Sequence, residues 1–422
     1  MLDIKFIREN PGVVKKACQD KQVSVDIDGL LDVDRRRKEA LQALEDMRAQ
    51  KNKANKDIQE AGDKKEKDTI ILKMRELDSN SDRLTKNLKE LDDKFNELML
   101  LVPNIPLEGV LVGKDDGGNK TLREEGKKPK FNFKIKSYLE IGEAMDFIGV
   151  KRAAKVSGAR FTYLKNEAAL LEFALVNLVL ETLTKEGFVP VIPPVILRSD
   201  MARGMGYLEQ MDREEAYYLP QDDMYLIGTA EQSLGAMHAD EVFEEKDLPR
   251  RYVGFSTCFR RESGSYGKDT KGILRVHQFD KLEMFSFCRP EDSVKEHQLF
   301  LSMEEKLMQL LKLPYRVLNI CTGDLGRPAA AKYDIEAWMP SEDRYRETHS
   351  TSNCTDFQAR RLNIRYKAKD NKLNFVHTVN GTAFAIGRIL IMIIENYQQV
   401  DGSVLIPEAL QKYLPFKEIK RN

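Results

Sequence analysis

The sequence lacks the features typical of membrane, disulfide-bonded and strongly basic proteins. Its longest apolar runs, such as residues 389–394, are far shorter than the roughly 20 residues of a membrane-spanning helix. The 5 cysteines are scattered without a CxxC pair, which argues against a zinc ribbon and a disulfide framework. Lys plus Arg and Asp plus Glu both total 68, so the net charge excludes a bulk polycation. With no signal or transit peptide, we expect a soluble, cytoplasmic protein with no membrane partner.

Several catalytic signatures are also missing. The chain has no GxxxxGK[ST] loop for nucleotide phosphates, no HExxH pair for zinc, and no GxGxxG after a strand. Its 5 histidines show no metal-ligand spacing. These absences exclude a P-loop nucleotide site and disfavour a doubly wound parallel sheet.

What the sequence does contain begins with a charge-rich helical pattern. Residues 29–101 hold no proline and one internal glycine, Gly62, at the natural turn 61–63. Two helices of about 35 residues would form an antiparallel hairpin roughly 50 Å long that projects from a body. The predicted apolar seam recurs at helical and then seven-residue spacing: Leu41, Leu44, Met47, Ala54 and Ile58, then Leu77, Leu84, Leu88, Leu91, Phe95 and Leu98.

Two functions suit such a hairpin. Charge-rich helical hairpins are mostly spacers or oligomerisation arms. Lysines near the turn could instead contact RNA phosphates, although Asp57, Glu60 and Asp63 lie among them. These lysines are Lys51, Lys53, Lys56, Lys64, Lys65 and Lys67. The residues alone leave both functions open.

The chain is predicted to have three parts. Residues 1–103 form an N-terminal domain that contains the coiled-coil arm, about 29–101, and the Pro- and Gly-rich stretch 104–135 is a linker. Residues 136–422 mix a helix at 166–186 with strand-like runs that do not alternate regularly with helices, which predicts an α+β domain with an antiparallel sheet. These runs are 189–192, 225–227, 251–256, 282–287, 315–320, 333–338 and 375–379.

Three segments carry residues suited to phosphate and base chemistry. The first, residues 187–194, is a helix-to-strand joint that ends in proline. In the second, Arg260 offers a fork for phosphate oxygens, Glu262 could accept from an adenine amino group, and Phe279 offers a flat face for a base. A basic hairpin with a core phenylalanine, closed by the loop 263–272, would explain this segment equally well. In the third, Arg388 stands on an apolar strand-to-helix segment, where a polyphosphate would be a suitable partner.

In this order and spacing, the three segments resemble motifs 1, 2 and 3 of class II aminoacyl-tRNA synthetases. Thr229-Ala230-Glu231, the stretch FRRESGSYGKDTKGILRVHQFDKLEMF at 259–285, SNCTDFQARRLNIRY at 352–366, the ending DGSVLIPE at 401–408 and the helical hairpin are similar specifically to the seryl-tRNA synthetase family. The resemblance covers essentially the whole chain. It implies a class II catalytic domain after a tRNA-binding arm, and an ATP-dependent, AMP-forming serine–tRNA ligase.

The resemblance also implies a role for individual residues. Serine would be bound by Thr229, Ala230, Glu231, Glu283 and Thr382. Arg260 and Arg388 would be catalytic, at the α-phosphate and the far phosphates of ATP. The implied ATP contacts are Arg260, Arg261, Glu262, Val276, Phe279, Glu347, Thr348, His349, Ser350 and Arg388. Mg²⁺ would be held by Glu347 and Ser350.

One departure from the family pattern concerns the metal segment. It usually reads Glu-Val-x-Ser-Cys-Ser-Asn, and here residues 347–353 read ETHSTSN. Glu347 and Ser350 are retained. His349 beside them is unusual, and we expect its side chain to face solvent.

The resemblance implies a homodimer that joins through motif 1, at residues 166–194, and an arm that grips tRNA(Ser), and tRNA(Sec) where it is present. Two alternatives remain on the sequence. An enzyme that loads a carrier protein is expected to lack the arm, which is present. An inactive paralogue that binds RNA or regulates is expected to lose Arg260, Glu262, Glu283 or Arg388, and all four are present.

Overall fold

A computed structural model of the chain describes residues 1–207, 212–263 and 271–420. The chain divides into two compact units. The smaller comprises Leu2–Gln19 and Val23–Pro103, and the larger comprises Met1, Asp20–Gln22 and Asn104–Asn422. Within the described ranges, no helix is both long and apolar enough to cross a membrane.

The smaller unit is helical. Its helices are α1 Ile4–Glu9, α2 Pro11–Asp20, α3 Ile27–Glu60 and α4 Lys64–Leu101. Helices α3 and α4 form the predicted hairpin, and the turn falls at residues 61–63 as expected. The side chain of Asp63 caps α4 by accepting a hydrogen bond from the backbone N–H of Glu66 at 2.7 Å.

The seam of the hairpin follows the prediction with one exception. Leu44 and Leu91 are 5% exposed, and Leu88, Phe95 and Leu98 pack against a cluster that contains Ala40 and Leu91. Leu41 is 46% exposed, and Ala40 takes the buried position, so the prediction for Leu41 was wrong by one residue. A one-residue step rotates a helix by about 100°, which moves a side chain off a seam two residues wide.

The larger unit is built on an eight-stranded sheet of order β1-β9-β10-β11-β14-β8-β7-β2. Neighbouring strands run antiparallel except for the β2–β7 pair, which confirms the predicted antiparallel sheet. The strands are β1 Lys120–Glu125, β2 Val189–Val191, β3 Ile196–Arg198, β4 Tyr218–Leu219, β5 Met224–Leu226, β6 Val242–Glu244, β7 Arg250–Phe259, β8 Gln278–Cys288, β9 Tyr315–Asn319, β10 Ala331–Met339, β11 Arg344–Thr355, β12 Arg365–Lys367, β13 Leu373–Phe375, β14 His377–Ala385, β15 Val404–Leu405 and β16 Glu418–Ile419.

Helices cover the sheet. They are α5 Tyr138–Ala144, α6 Val150–Ser157, α7 Asn166–Lys185, α8 Ser199–Gly204, α9 Asp212–Glu215, α10 Glu231–Ala236, α11 Ser293–Leu310, α12 Phe357–Leu362 and α13 Ile386–Asn396. Helices α7, α11 and α13 enclose the main apolar core with the sheet. A second apolar cluster involves α8, α10 and α12.

Strand β8 shows how the sheet separates these two cores. Leu282 and Met284 belong to the main core, whereas Phe285 and Phe287 belong to the second cluster. Successive side chains of a strand point to opposite faces, so Glu283 lies on the same face as Phe285. That face carries the candidate site.

Two strands of the eight-stranded sheet, β1 and β11, were not predicted from the sequence. The linker 104–135 contains β1, which pairs with β9 at the edge of the sheet, so that stretch is not all loop. Strand β11 was not predicted, because its many polar residues do not show the apolar alternation of a typical strand. The predicted loop 263–272 lies largely outside the described residues.

Candidate active site

Two adjoining cavities open beside the middle of the sheet, and both are lined by Arg260, Lys281 and Thr382. We call one the phosphate cavity, because Arg260 and Arg388 in its wall suit phosphate groups. We call the other the carboxylate cavity, because Glu231 and Glu283 line it. The phosphate cavity is lined further by Glu262, Val276, Phe279, Glu347, Thr348 and Arg388. The carboxylate cavity is lined further by Thr229, Glu231, Glu283, Ser350, Ser352 and Asn380.

Backbone irregularities shape both cavities. The register of β11 against β10 shifts at Thr348, and the register of β14 against β8 shifts at Ala383. Each bulge is adjacent to a cavity-lining residue, Glu347 in one case and Thr382 in the other. Bulges bend a strand and redirect its side chains, and here they do so at the site.

In the carboxylate cavity, a buried ion pair lies beside a hydroxyl. Lys281 Nζ is 2.5 Å from Glu283 Oε2, and Thr229 Oγ1 donates to the same oxygen at 3.1 Å. Lys281 Nζ also donates to Thr229 Oγ1 at 3.2 Å. Glu283 is 1% exposed and Lys281 is 8% exposed. A small ligand with a hydroxyl group would meet a fixed acceptor here.

Glu231 is the second carboxyl group of this cavity. Its oxygens accept hydrogen bonds from Tyr207 at 2.9 Å, Gln358 at 2.9 Å and Asn380 at 3.1 Å. Burial and the nearby negative charge of Glu283 raise the pKa of Glu231 to about 7. The group is therefore close to its titration point at neutral pH, and a bound cation would favour its ionised form.

Cations and an aromatic ring line the phosphate cavity. The Arg260 Nε donates to the carbonyl of Gly228 at 3.1 Å, and its guanidinium lies 5.4 Å from the Phe279 ring centre. Arg388 Nη1 donates to the carbonyl of Glu347 at 2.9 Å and lies 3.4 Å from its carboxylate. These arginines place two positive charges on one cavity.

Two acidic groups complete the phosphate cavity. Partial removal from bulk water would by itself raise the pKa of Glu347, but the charges of Arg388, Lys332 and Arg260 lower it to about 2, so the carboxylate is ionised. Its side chain is 48% exposed to the cavity. Glu262 pairs with Arg275 at 3.0 Å and has a left-handed φ of 52°, a strained conformation that clusters at functional sites.

Three predicted site residues lie apart from the cavity walls. Ala230 is fully buried in the second apolar cluster. Arg261 is exposed and stacks over Tyr217 at 5.3 Å. His349 was expected to face solvent, and this was wrong, because it is 1% exposed with its ring 5.7 Å from the Phe384 ring.

Burial lowers the pKa of His349 to about 3, so its imidazole is neutral at physiological pH. Its Nδ1 lies 2.8 Å from Oγ1 of Thr348, the residue at the bulge of β11. A cationic role for His349 at ATP is therefore not supported, and its predicted ATP contact would have to involve backbone atoms.

Sequence reasoning missed four polar residues of the site. Lys281 and Asn380 lie inside the recognised motif segments, and the two-residue period of β8 puts Lys281 on the face of Phe279 and Glu283. Gln358 lies in the stretch 352–366, one of the segments that carry the family resemblance. Tyr207 had no local signal, since it reaches Glu231 from a turn after α8.

The comparisons with known proteins agree with this arrangement. The seryl-tRNA synthetase N-terminal domain model matches residues 1–106, and the class II core domain model for G, H, P, S and T synthetases matches residues 217–397. A serine–tRNA ligase of Dictyoglomus turgidum is 43% identical over 100% of this chain and 99% of its own length. A serine–tRNA ligase of Nitrosopumilus maritimus is 40% identical over 98% of this chain and 99% of its own length.

Solved structures show the same likeness. A seryl-tRNA synthetase from Pyrococcus horikoshii, complexed with ATP, covers 100% of both chains at a TM-score of 0.92 and 41% identity. The chain belongs to the seryl-tRNA synthetase family. A cytoplasmic serine–tRNA ligase from Naegleria fowleri, in complex with AMP, aligns over 100% of this chain and 99% of that chain, with a TM-score of 0.88 and 32% identity.

Proposed function

We propose that the protein is a serine–tRNA ligase. It activates L-serine with ATP to give seryl-adenylate and pyrophosphate, and then transfers serine to the 3′ end of tRNA(Ser) with release of AMP. The observation that carries this proposal is the junction of the two cavities at Arg260, which joins a cationic, aromatic site to a hydroxyl- and carboxylate-lined site.

The phosphate cavity suits ATP. Phe279 offers a ring face to adenine, and Glu262 an acceptor for its amino group. Attack of a serine carboxylate on the α-phosphorus brings two anions together, so the main tasks are alignment and neutralisation of charge. Arg260, at the junction, stabilises the charge on the α-phosphate, and Arg388 stabilises that of the leaving pyrophosphate.

The carboxylate cavity suits serine. Ionised Glu231 would accept hydrogen bonds from the ammonium group, and Glu283 and Thr382 would hold the hydroxyl. Alanine cannot supply the hydroxyl, so Glu283 and Thr382 would each lose one hydrogen bond inside a buried site, and this cost gives strong discrimination against a substrate that lacks a hydroxyl.

Magnesium is expected to be held by Glu347, with Ser350 from the next cavity. The described residues contain no group of three or more His, Cys, Asp or Glu side chains placed to hold a metal. Mg²⁺ does not need such a group, because it binds through one or two carboxylates plus substrate phosphates. The ionised, half-exposed Glu347 fits that donor set, and the metal would supply additional positive charge to the phosphates.

A homodimer is supported by an apolar surface on motif 1. On α7, Leu170 is 46% and Phe173 is 61% exposed, and around β2 Val189 is 53% and Ile192 is 86% exposed. Exposed apolar side chains on two elements that contact each other mark interaction sites. A second copy of the chain would cover them.

The α3–α4 hairpin is proposed as the tRNA-binding arm. Lys53, Lys56, Lys64, Lys65 and Lys67 are exposed near its turn, whereas Lys51 pairs with Asp78 across the seam. Phosphate contacts from such lysines would recognise the shape of an RNA.

We further propose that the chain divides into residues 1–103, 104–135 and 136–422. We also propose a reducing, cytoplasmic location, which suits five buried free cysteines.

Pyrophosphate exchange across the amino acids tests the proposed activity. The expected result is exchange that depends on L-serine far more than on threonine, alanine or glycine. Stronger exchange with threonine than with serine would contradict the serine assignment and leave the class II family intact.

A further inference from the structure

Five consecutive backbone carbonyls, at residues 326–330, accept hydrogen bonds from donors outside their own loop. Three side-chain bonds come from Lys21 Nζ, to Gly326 at 2.9 Å, Arg327 at 3.2 Å and Ala329 at 2.6 Å. The segment that follows the arm supplies the other donors. The backbone N–H of Asn104 donates to Arg327 at 3.0 Å, the Asn104 side-chain Nδ2 donates to Pro328 at 2.9 Å, and the backbone N–H of Leu107 donates to Ala330 at 2.8 Å.

Both side chains are buried in the larger unit, to which Asp20–Gln22 and Asn104 belong. Lys21 is 8% exposed and Asn104 is 2% exposed. An ammonium group has three N–H donors, and here three carbonyls accept from it. Burial of a cation is costly, and charge-assisted hydrogen bonds to fixed carbonyls offset that cost. Such an arrangement holds a particular backbone geometry.

The loop that is held in this way forms part of the carboxylate cavity. Residues 324–329 line it together with Glu231 and Glu283. Pro328 also packs against Gly206, where an added Cβ would lie 3.0 Å from Pro328 Cγ. The next residue, Tyr207, donates to Glu231. A shift of the loop would therefore disturb the cavity wall and the hydrogen bond that orients Glu231.

Asn104 acts on a second side of the same cavity. Its Nδ2 donates to the carbonyl of Cys354 at 2.8 Å, and Cys354 lines the cavity. Asn380 Nδ2 contacts Cys354 Sγ at 3.6 Å and Glu231 Oε1 at 3.1 Å. Asn104 thus joins the 326–330 loop to the end of β11, next to the buried carboxyl group.

We propose that Lys21 and Asn104 are positioning residues for serine binding, because they fix the 326–330 loop that walls the carboxylate cavity. They lie before residue 229, outside the sequence region that holds the predicted substrate-contacting residues. The inference rests on the assignment of this cavity to serine.

The test compares Lys21→Met with wild type in pyrophosphate exchange, using the full chain. The KM for L-serine is expected to rise about tenfold, the order expected when buried carbonyls lose their donor, while the KM for ATP stays within about twofold. Lys21→Arg, which can still donate to carbonyls, should recover most of the loss. Asn104→Ala should show the same separation of the two KM values.

Two controls separate positioning from general destabilisation. Lys5→Met removes an exposed lysine of the same N-terminal region and should change neither KM. Arg251→Met breaks a partly buried ion pair with Glu296, 2.5 Å apart, on a different part of the sheet. It should lower the melting temperature without a selective effect on the KM for serine.

The inference would be overturned if Lys21→Met and Asn104→Ala raised both KM values equally. It would also be overturned if Arg251→Met, at a matched loss of melting temperature, gave the same selective effect. If Lys21→Met did not fold, an unchanged serine KM in Asn104→Ala would reject the inference. A normal serine KM in Glu283→Gln would instead show that the cavity assignment is wrong.

Discussion

Lys281 Nζ lies 2.5 Å from Glu283 Oε2, two residues along β8, and both side chains are buried on the face that carries the site. Neither residue could be buried with its charge uncompensated. The pair therefore holds the Glu283 carboxyl group in place inside the cavity proposed for serine, with Thr229 as a further donor.

Lys281→Met is expected to destabilise the fold by about 3–5 kcal/mol, because it leaves Glu283 as a buried charge without its cation. The double variant Lys281→Met/Glu283→Gln should recover much of the free energy of unfolding but not serine-dependent exchange. Urea unfolding and exchange measured on the same preparations check both parts. Recovery of exchange in the double variant would show that Glu283 does not contact serine.

Serine binding should depend on pH through Glu231. Its pKa, raised to about 7 by burial and by Glu283, means that the folded protein holds a proton that the unfolded chain has lost. Between the ordinary pKa of 4.5 and about 7, the stability contributed by this group therefore falls as pH rises. A serine ammonium favours the ionised form, so the KM for serine should fall as pH rises towards about 7 and then level off.

Glu231→Gln checks the origin of that dependence. The variant should bind serine more weakly and show a flatter profile of KM against pH than wild type. The relevant measurement is the difference between the two profiles, because it removes the contribution of other titrating groups. A variant that keeps the wild-type slope would assign the dependence to another residue.

Arg260→Ala should lower adenylate formation by roughly 10²–10³, the scale for the loss of one preorganised charge-stabilising donor. Folding should survive, because among the described residues the side chain makes one hydrogen bond, to Gly228, and it lines both cavities. Arg250→Ala, at the other end of β7, is the matched control and should leave pyrophosphate exchange near normal. Near-normal exchange in Arg260→Ala would mean that the phosphate cavity is misassigned.

The lysines near the hairpin turn should govern tRNA binding and not serine activation. Replacing Lys53, Lys56, Lys64, Lys65 and Lys67 by Gln should raise the KM for tRNA and flatten its dependence on salt, since fewer counterions are released. Replacing the exposed Lys86 and Lys89, far from the turn, is the control. An unchanged KM for tRNA after replacement of the five lysines near the turn would reduce the arm to a spacer.

Local sequence pattern was sufficient to predict the helical hairpin, its turn and the antiparallel type of the sheet. The seven-residue repeat and Gly62 predicted the hairpin and its turn, and the irregular order of helices and strands predicted an antiparallel sheet. Strand β11 and its bulge at Thr348 were not predictable in this way, because pairing with β10 and β14 stabilises a polar sequence that has no strand period of its own.

The site was predictable where a residue type carries its own chemistry. Arg260, Glu262, Phe279 and Arg388 were predicted from their own chemistry and Glu347 from the family resemblance, and all five line one cavity. His349 was misjudged because its burial depends on Phe384, 35 residues away in the sequence, which a single strand pattern does not show. Lys21 and Tyr207 reach the site through tertiary contacts of the same long-range kind.

The most direct test of the central claim is a charging assay with labelled L-serine, ATP and purified tRNA(Ser), in which seryl-tRNA and AMP are measured together. The account predicts serine-dependent formation of both, lost in Arg260→Ala and retained in Arg250→Ala. Formation of AMP with no label on tRNA would favour an enzyme that loads another carrier, and the absence of both would indicate an inactive relative. Either result would contradict the proposal that this protein is a serine–tRNA ligase.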